Sequence, residues 1–326
     1  MIELRDFLEI DLPALATSTL AALSCGLLGN FLLLQRRSLL GDAISHAVLP
    51  GIVLAFVLTG ELAAWAMMAG ASAAAVLAVV LIALLERFGR VETSAATGVV
   101  LTTMFALGVV LLEQTGAQAV HLDVQHALMG SLETIVWLGA GDGSALLDAA
   151  WLAAVPDVLV RLALVAAGVM LLIGLLFKEL AITSFDPGHA TSIGISAHGV
   201  GFVLLVAAAV VAVASFQAVG AILTVALFVC PAATARMLTD RLETQLALSA
   251  AAALLAGVLG YALAAWAPLW LGVGRALNAA GMIAVVAGVL QALAILFAPR
   301  YGMLTRWRRR QTPASSRTEP AVGAQR

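Results

Sequence analysis

The feature that most constrains this chain is a series of apolar runs, each long enough to cross a lipid bilayer. A transmembrane helix needs about 20 apolar residues. Nine such runs are separated by polar connections: residues 12–34, 39–59, 62–85, 94–112, 159–177, 198–215, 218–235, 245–265 and 276–298. In lipid, backbone polar groups must be hydrogen-bonded within the chain, which favours helices. The sequence therefore predicts an all-α, polytopic transmembrane helical bundle of nine spans, or of eight if one helix does not cross.

The composition agrees with a membrane protein. Hydrophobic residues make up 62% of the 326 residues and charged residues 11%, whereas soluble domains contain about 45–50% and about 25%. The formal net charge of −2 gives no argument for nucleic-acid binding. The first run follows acidic residues and not the positive leader of a secretory signal, so we expect it to be retained as a span.

Shorter segments complete the predicted organisation. Residues 126–138 are apolar but too short to cross, which predicts a partial or surface helix, and residues 144–157 predict an amphipathic interfacial piece. We expect the transmembrane domain to cover residues 1–303. The chain beyond is basic and then rich in Pro and Ser, so residues 304–326 are predicted to be a disordered tail.

Basic residues indicate the orientation of the bundle. With the C-terminus in the cytosol, all but three of the 17 Lys and Arg residues lie on the cytosolic side; the exceptions are Arg5, Arg161 and Arg275. Cytosolic connections of membrane proteins carry such an excess. Because nine spans place the termini on opposite sides, the N-terminus is predicted to lie outside.

Asp42 and His46 form the first candidate site. They enter the second run four residues apart, so a helix places both side chains on one face. Each ionisable group inside a span costs roughly 2.5–3.5 kcal/mol on insertion scales, so the pair needs a reason to be there. Three interpretations stay open: ligands of a passing divalent metal, a proton relay, or a pair that stabilises only itself near the cytosolic interface. A carboxylate with an imidazole suits Mn, Fe or Zn, but two ligands do not complete a site.

A second polar cluster, His121, Asp123 and His126, lies in the outer connection between the fourth and fifth runs. The spacing is compatible with a transient metal contact at the outer mouth. An ordinary solvated loop accounts for the same residues more simply, because loops are where polar residues normally lie. Both interpretations stay open.

The longest polar connection inside the bundle predicts a short helix around residues 185–194. Ser184 or Asp186 is suited to cap it, Pro187 suits its first turn, and Gly194 is placed to end it. This helix would lie on the cytosolic side. It is either a docking surface for a partner or a plain connector.

Motifs of an enzyme or of an ATPase are absent from the sequence. The phosphate-binding loop requires Lys followed by Ser or Thr, and the one lysine, Lys178, precedes Glu179. If ATP drives the work of this protein, another subunit binds the ATP. A membrane-embedded enzyme has no visible catalytic groups. The remaining alternative is a proton-coupled secondary transporter that uses the Asp42–His46 pair.

Three blocks of sequence resemble the permease subunits of bacterial manganese, zinc and iron ABC importers. The blocks are RRSLLGDAISHAVLPG (36–51), FKEL with SFDP (177–187), and QAVG with PAATARMLTDR (217–241). They occur in the order found in that family, and the resemblance covers roughly residues 12–303.

The resemblance implies a fold similar to that of the cobalamin and siderophore ABC importer permeases, in a bacterial inner membrane. Asp42 and His46 would then coordinate the metal on its pathway, and the segment from Phe185 to Gly194, with Asp186 and Pro187, would be the ATPase-coupling helix. The implied partners are cytosolic ATP-binding subunits, a second permease copy or sister permease, an extracytoplasmic metal-binding lipoprotein and membrane lipid. No permanent cofactor is implied: Mn, Zn or Fe passes through as cargo, and ATP is bound only by the partner.

Overall fold

The computed structural model describes residues 7–37, 40–60, 64–114, 132–137, 154–270, 277–305 and 307. Within these ranges the chain is helical without any strand, and nine helices are long and apolar enough to cross a membrane. Each predicted run coincides with one of these helices. The predicted all-α bundle of nine spans is therefore confirmed for the described residues.

We number the α-helices in chain order. They are α1 (Leu12–Leu34), α2 (Leu40–Ala47), α3 (Leu49–Thr59), α4 (Ala64–Gly89), α5 (Thr93–Gln114), α6 (Asp157–Leu175), α7 (Phe177–Phe185), α8 (Pro187–Ser192), α9 (Ala197–Val219), α10 (Ala221–Leu238), α11 (Leu242–Trp270) and α12 (Ala279–Phe297). A π-helical turn, Phe7–Asp11, precedes α1 directly, and α9 is joined to α10 by one residue, Gly220, with φ 83°.

The second span is interrupted, which its apolar run did not predict. Helix α2 ends before Val48 and α3 begins after it. Pro50 has no N–H to donate to the carbonyl of His46, four residues earlier, and a proline ring crowds that carbonyl. The interruption therefore follows from the proline, and it directly follows the residues of the candidate site.

Helix α1 lies at the centre of the bundle and packs against α6, α9, α10 and α11. Small residues permit this close packing. A Cβ atom added at Gly29 would lie 2.0 Å from the backbone oxygen of Phe228 on α10. Hydroxyl groups of α1 bond within the helix; for example, Thr17 Oγ1 donates to the Pro13 carbonyl at 2.6 Å. The central helix thus combines backbone contact with internally satisfied polar groups.

Two amide side chains join α1 to α11. Gln245 Nε2 donates to Asn30 Oδ1 at 2.9 Å, and Asn30 Nδ2 donates to the Gly26 carbonyl at 2.8 Å. Ser249 Oγ donates to the same carbonyl at 3.1 Å. Both amides are fully buried. Because an unpaired polar group is costly inside a membrane protein, this network fixes how α11 sits against α1.

The shorter predicted segments are described only in part. Of the partial helix predicted over residues 126–138, residues 132–137 are described, and they form one 3-10 turn followed by irregular chain. This piece is held between helix ends: Trp137 N donates to the Glu9 carbonyl at 2.8 Å, and Ala279 N donates to Glu133 Oε1 at 2.9 Å. Most of the predicted interfacial piece, and the predicted tail beyond residue 307, lie outside the described residues.

Candidate metal site and coupling segment

Helix α2, which carries the candidate metal ligands, is amphipathic. Leu40, Ile44 and Ala47 are spaced by three or four residues and are each at most 2% exposed. Asp42 and His46 lie on the other face, at the spacing of one turn. The packing of the apolar face thus directs both polar side chains away from the core.

Asp42 Oδ1 and His46 Nε2 lie 3.7 Å apart. The Asp42 side chain is 48% exposed and the His46 side chain 39% exposed, so both reach the surface of the single chain. The Ser45 hydroxyl donates to the Asp42 backbone carbonyl at 2.5 Å. The imidazole meets the ring of Phe105, on α5, edge to face with centroids 5.5 Å apart. The predicted placement of the pair on one helix face is confirmed, and its role stays a prediction.

The geometry of this pair fits one side of a metal site. Metal–oxygen and metal–nitrogen bonds of about 2.1 Å at a tetrahedral angle put two ligand atoms about 3.4 Å apart. The observed 3.7 Å needs only a small side-chain rotation to match. Among the described residues, no group of three or more His, Cys, Asp and Glu side chains is suited to a metal ion. The pair therefore offers two ligands, and its exposure leaves the other coordination positions open to groups from outside this chain.

The pair lies near the beginning of its span. The span, Leu40–Thr59, has 20 residues, which corresponds to about 30 Å of helix. At about 1.5 Å per residue, Asp42 and His46 lie about 3 Å and about 9 Å along the axis from Leu40. The site thus occupies the first third of the span, just before the interruption at Val48. Interrupted helices beside a binding site are typical of transporters.

The outer cluster cannot be placed, since His121, Asp123 and His126 lie outside the described residues. Their metal contact at the outer mouth stays a prediction. At the end of the bundle where α4 and α6 begin, Arg161 Nη1 donates to Gln217 Oε1 at 3.2 Å and contacts Met68 Sδ at 3.1 Å. This arginine joins α6 to α9 and α4 at that end.

Helix α8 is the short helix predicted around residues 185–194, and it spans Pro187–Ser192. Asp186 is its N-cap, because Asp186 Oδ1 accepts from the His189 backbone N–H at 2.9 Å. Gly194 follows the helix with φ 88°, the left-handed conformation that commonly terminates helices. The predicted helix, cap and terminator are confirmed, and the helix is shorter than predicted.

The face of this segment away from the bundle is partly apolar. Ala190 is fully buried and anchors α8, while Phe185 and Ile193 are each 54% exposed. The segment therefore presents apolar side chains at both ends of α8, and its role as a docking surface stays a prediction.

Two side-chain contacts that sequence reasoning did not predict lie near the coupling segment and the start of α2. Gln35 Nε2 donates to Ser184 Oγ at 3.4 Å, and Arg37 Nη2 donates to Glu86 Oε2 at 2.7 Å. A cavity of about 740 Å³ is lined by these four residues, among others. The charges of Arg37 and Glu86 at the ends of apolar runs were a signal of span ends, but the sequence does not say which ends meet.

At the same end of the bundle, Asp240 in the α10–α11 turn holds the chain that follows α12. Its carboxylate accepts from the Tyr301 hydroxyl at 2.9 Å and from Arg300 Nη1 at 2.5 Å. The Tyr301 hydrogen bond, followed by the Arg300 hydrogen bond, lowers the pKa of Asp240 below its usual value. The ionised carboxylate is therefore the form that fastens this end.

Comparison with known proteins agrees with this architecture. Residues 8–137 and 151–298 match the model of the ABC 3 transport family. The manganese transport system membrane protein MntD of Bacillus subtilis is 40% identical over 297 residues, which cover 90% of this chain and 93% of that protein. The zinc transport system membrane protein TroD of Treponema pallidum is 38% identical over 303 residues, which cover 92% of this chain and 76% of that protein.

Solved structures show the same fold. PsaBC from Streptococcus pneumoniae in complex with Fab matches with a TM-score of 0.69 and 28% identity, over 91% of this chain and 94% of that chain. A metal-chelate type ABC transporter in an inward-facing conformation matches with a TM-score of 0.64 and 13% identity, over 89% of this chain and 87% of that chain, which shows the fold alone. The chain belongs to the ABC 3 transport family, as a membrane-spanning permease subunit of an ABC transporter whose ATPase is a separate subunit.

Proposed function

We propose that this chain is the permease of an ATP-driven importer of divalent transition-metal ions: manganese, zinc or iron. The observation that carries the proposal is the Asp42–His46 pair, an oxygen and a nitrogen ligand 3.7 Å apart on an exposed face of a span. The relatives named as manganese and zinc transport proteins support this class of cargo. The ligands and geometry around the pair set the choice among these metals.

The pair contributes half of a site on the metal pathway. The ionised carboxylate and the neutral imidazole each donate a lone pair to the ion. A second permease copy, or a sister permease, supplies the facing ligands across the exposed surface of α2. Because each subunit gives only two ligands, the ion is held weakly and leaves when the pathway opens inward.

Movement of α8 drives the alternation between outward and inward openings. Partner ATPase subunits bind the segment from Phe185 to Gly194, and the exposed Phe185 and Ile193 side chains give them apolar contacts. The Asp186 cap and the Pro187 turn keep the helix formed while it is pushed. An extracytoplasmic metal-binding lipoprotein delivers the ion at the opposite end of the bundle.

The orientation in the inner membrane follows from the basic residues. Arg36, Arg37, Arg87 and Arg90 lie at span ends on the same side as α8, which we assign to the cytosol by the excess of positive charge. The N-terminus then lies outside. Residues 1–303 form the permease domain, and residues 304–326 form a basic cytosolic tail.

Uptake of radiolabelled manganese and zinc into proteoliposomes containing the whole transporter tests the proposal. Asp42→Asn removes the negative charge of the carboxylate, and His46→Gln removes the imidazole nitrogen, so each weakens the metal site with little change in side-chain volume. We expect each to lower uptake by about tenfold or more, the equivalent of about 1.4 kcal/mol of lost binding. Ser45→Ala is the matched control on the same helix, because its hydroxyl bonds to the helix backbone, and we expect it to keep uptake near that of the unmodified protein.

Unchanged uptake in both ligand variants, at normal abundance in the membrane, would refute the site. Membership of an ABC transporter family sets aside the proton-coupled secondary transporter. Accordingly, an uncoupler that collapses the proton gradient should leave uptake intact, and removal of ATP should stop it.

A further inference from the structure

The short turn that follows α1, residues 35–37, contacts Ser184, which directly precedes the coupling segment, and the first residue of α2. We propose that Arg37 and Glu86 are positioning residues that make the helix carrying Asp42 and His46 follow the movement of the coupling segment. This inference rests on the proposed function, and it names side chains that pass the movement from one site to the other.

The turn is fixed to α1 by its backbone. Arg37 N donates to the Leu32 carbonyl at 2.7 Å, and Arg36 N donates to the Leu33 carbonyl at 3.1 Å. Arg36 has φ 59°, the left-handed conformation that ends helices in this way. Residues 35–37 are therefore tied to the end of α1 by backbone hydrogen bonds.

The same turn is bonded to the start of α2. Leu40 N, the first amide of that helix, donates to the Arg37 carbonyl at 3.1 Å. Asp42 follows two residues later, in the first turn of the helix. A displacement of Arg37 thus moves the beginning of α2, the helix that carries both ligands.

On its other side, the turn contacts α7 just before the coupling segment. Gln35 Nε2 donates to Ser184 Oγ at 3.4 Å. Ser184 lies two residues before Asp186, the N-cap of α8. The path from α8 to the metal helix therefore runs along the chain from Asp186 back to Ser184, through one side-chain contact to the turn, and through one backbone hydrogen bond to Leu40.

The Arg37–Glu86 ion pair sets where this turn lies against α4. The two side chains are 19% and 20% exposed, and they share one hydrogen bond of 2.7 Å. Arg37 Nη1 and Glu86 Oε1 are also buried, and neither has a hydrogen-bond partner among the described residues. A two-pronged Arg–carboxylate pair would satisfy all four groups and hold more strongly. A partly satisfied, mostly buried pair contributes little to stability, which favours a role in positioning.

Space for movement lies beside the pair. The cavity of about 740 Å³ has Gln35, Arg37, Glu86, Ser184 and Pro187 in its wall. The coupling segment can shift into this space without separating the packed spans. Glu86, on α4, then acts as the fixed side against which Arg37 and the turn move.

The test is the number of manganese ions transported per ATP hydrolysed, measured on the whole transporter in proteoliposomes. This ratio reports the proposed link, by which movement of the coupling segment is passed to the metal helix. We expect Arg37→Gln and Glu86→Gln to lower this ratio by about fivefold or more, the lower end of typical coupling between sites. The KM for manganese should change by less than about twofold, because the ligands are untouched. Arg90→Gln and Glu92→Gln remove one exposed charge of each sign nearby and should leave the ratio unchanged.

Reversing the charges separates positioning from general damage. The double variant R37E/E86R restores the attraction, and we expect it to recover at least about half of the ratio. If the single variants are not recovered in the membrane, Gln35→Ala and Ser184→Ala carry the test and should lower the ratio in the same way. A ratio equal to that of the control variants, a loss matched by an equal rise in KM, or a double variant no better than the single ones would overturn the link.

The basal ATPase rate of the whole transporter needs no cargo and distinguishes the two proposals. We expect it to rise in Arg37→Gln and Glu86→Gln, because hydrolysis is no longer restrained by the metal helix. An unmodified transporter that carries none of manganese, zinc and iron would refute the proposed function alone. Unchanged basal rates in both variants would refute the link alone.

Discussion

Helices α3 and α4 cross in direct backbone contact beside the metal helix, and this crossing makes a quantitative prediction. A Cβ atom added at Gly51 would lie 2.1 Å from the Gly70 backbone oxygen, and one added at Gly70 would lie 2.2 Å from the Gly51 backbone oxygen. Restoring an ordinary contact requires the helices to separate by more than about 1 Å. Overpacking typically costs about 1–3 kcal/mol, and here the obstacle is backbone that has no rotamer to change. We therefore expect Gly51→Ala and Gly70→Ala to destabilise the protein by about 3 kcal/mol each.

Thermal unfolding of the purified protein in detergent measures this cost. For a chain of 326 residues, we expect a fall in the midpoint of about 4 °C for each variant. Gly98→Ala is the matched control, because a Cβ atom at Gly98, in helix α5, meets nothing within 4 Å, and alanine gains about 1 kcal/mol of helix propensity. If Gly51→Ala unfolds at the same temperature as the control, the close crossing described here is wrong. Gly51 directly follows Pro50, at the interruption beside the candidate metal site. We therefore expect metal uptake to fall together with stability in Gly51→Ala.

Three further predictions concern contacts away from the metal helix. Gln245→Leu removes the donor to the buried Asn30 Oδ1 and should lower the unfolding midpoint, at a cost of about 1–3 kcal/mol. Tyr301→Phe removes the main cause of the lowered Asp240 pKa. A carboxyl group whose pKa is lower in the folded protein stabilises the fold above its unfolded pKa, and this stability is lost as pH falls through the folded pKa. Because the pKa of Asp240 is lowered less in Tyr301→Phe, acid unfolding followed by circular dichroism should begin at a higher pH. Asp186→Ala removes the N-cap of α8 and should weaken binding of the isolated ATPase subunit by about 1 kcal/mol in calorimetry, while Asp186→Asn, a residue that also caps, should not.

The spans were predictable because the lipid bilayer permits only one kind of segment to cross in a bundle such as this one. Runs such as residues 94–112 and 245–265 correspond to α5 and α11 because only a hydrogen-bonded apolar helix is stable in lipid. The interruption at Val48 was not predicted, since hydropathy is the same for a straight and a broken helix. Pro50 was the available signal, and proline within a span is tolerated often enough that its effect depends on the neighbouring helices.

The candidate site was predictable only within one helix. The spacing of Asp42 and His46 fixes a shared face, and the structure has their ligand atoms 3.7 Å apart. Contacts between helices, such as Arg37 with Glu86, depend on how the spans pack, which local sequence does not determine. The cap of α8 was predictable, because Asp186 and its partner His189 are close in sequence.

Pulsed electron paramagnetic resonance of manganese trapped in the transporter tests the central claim, that Asp42 and His46 hold the ion. With ¹⁵N-labelled histidine in this chain alone, the imidazole of His46 should give a ¹⁵N coupling to the manganese. We expect this coupling to disappear in His46→Gln and the manganese occupancy to fall in Asp42→Asn. A ¹⁵N coupling that persists unchanged in His46→Gln would contradict it.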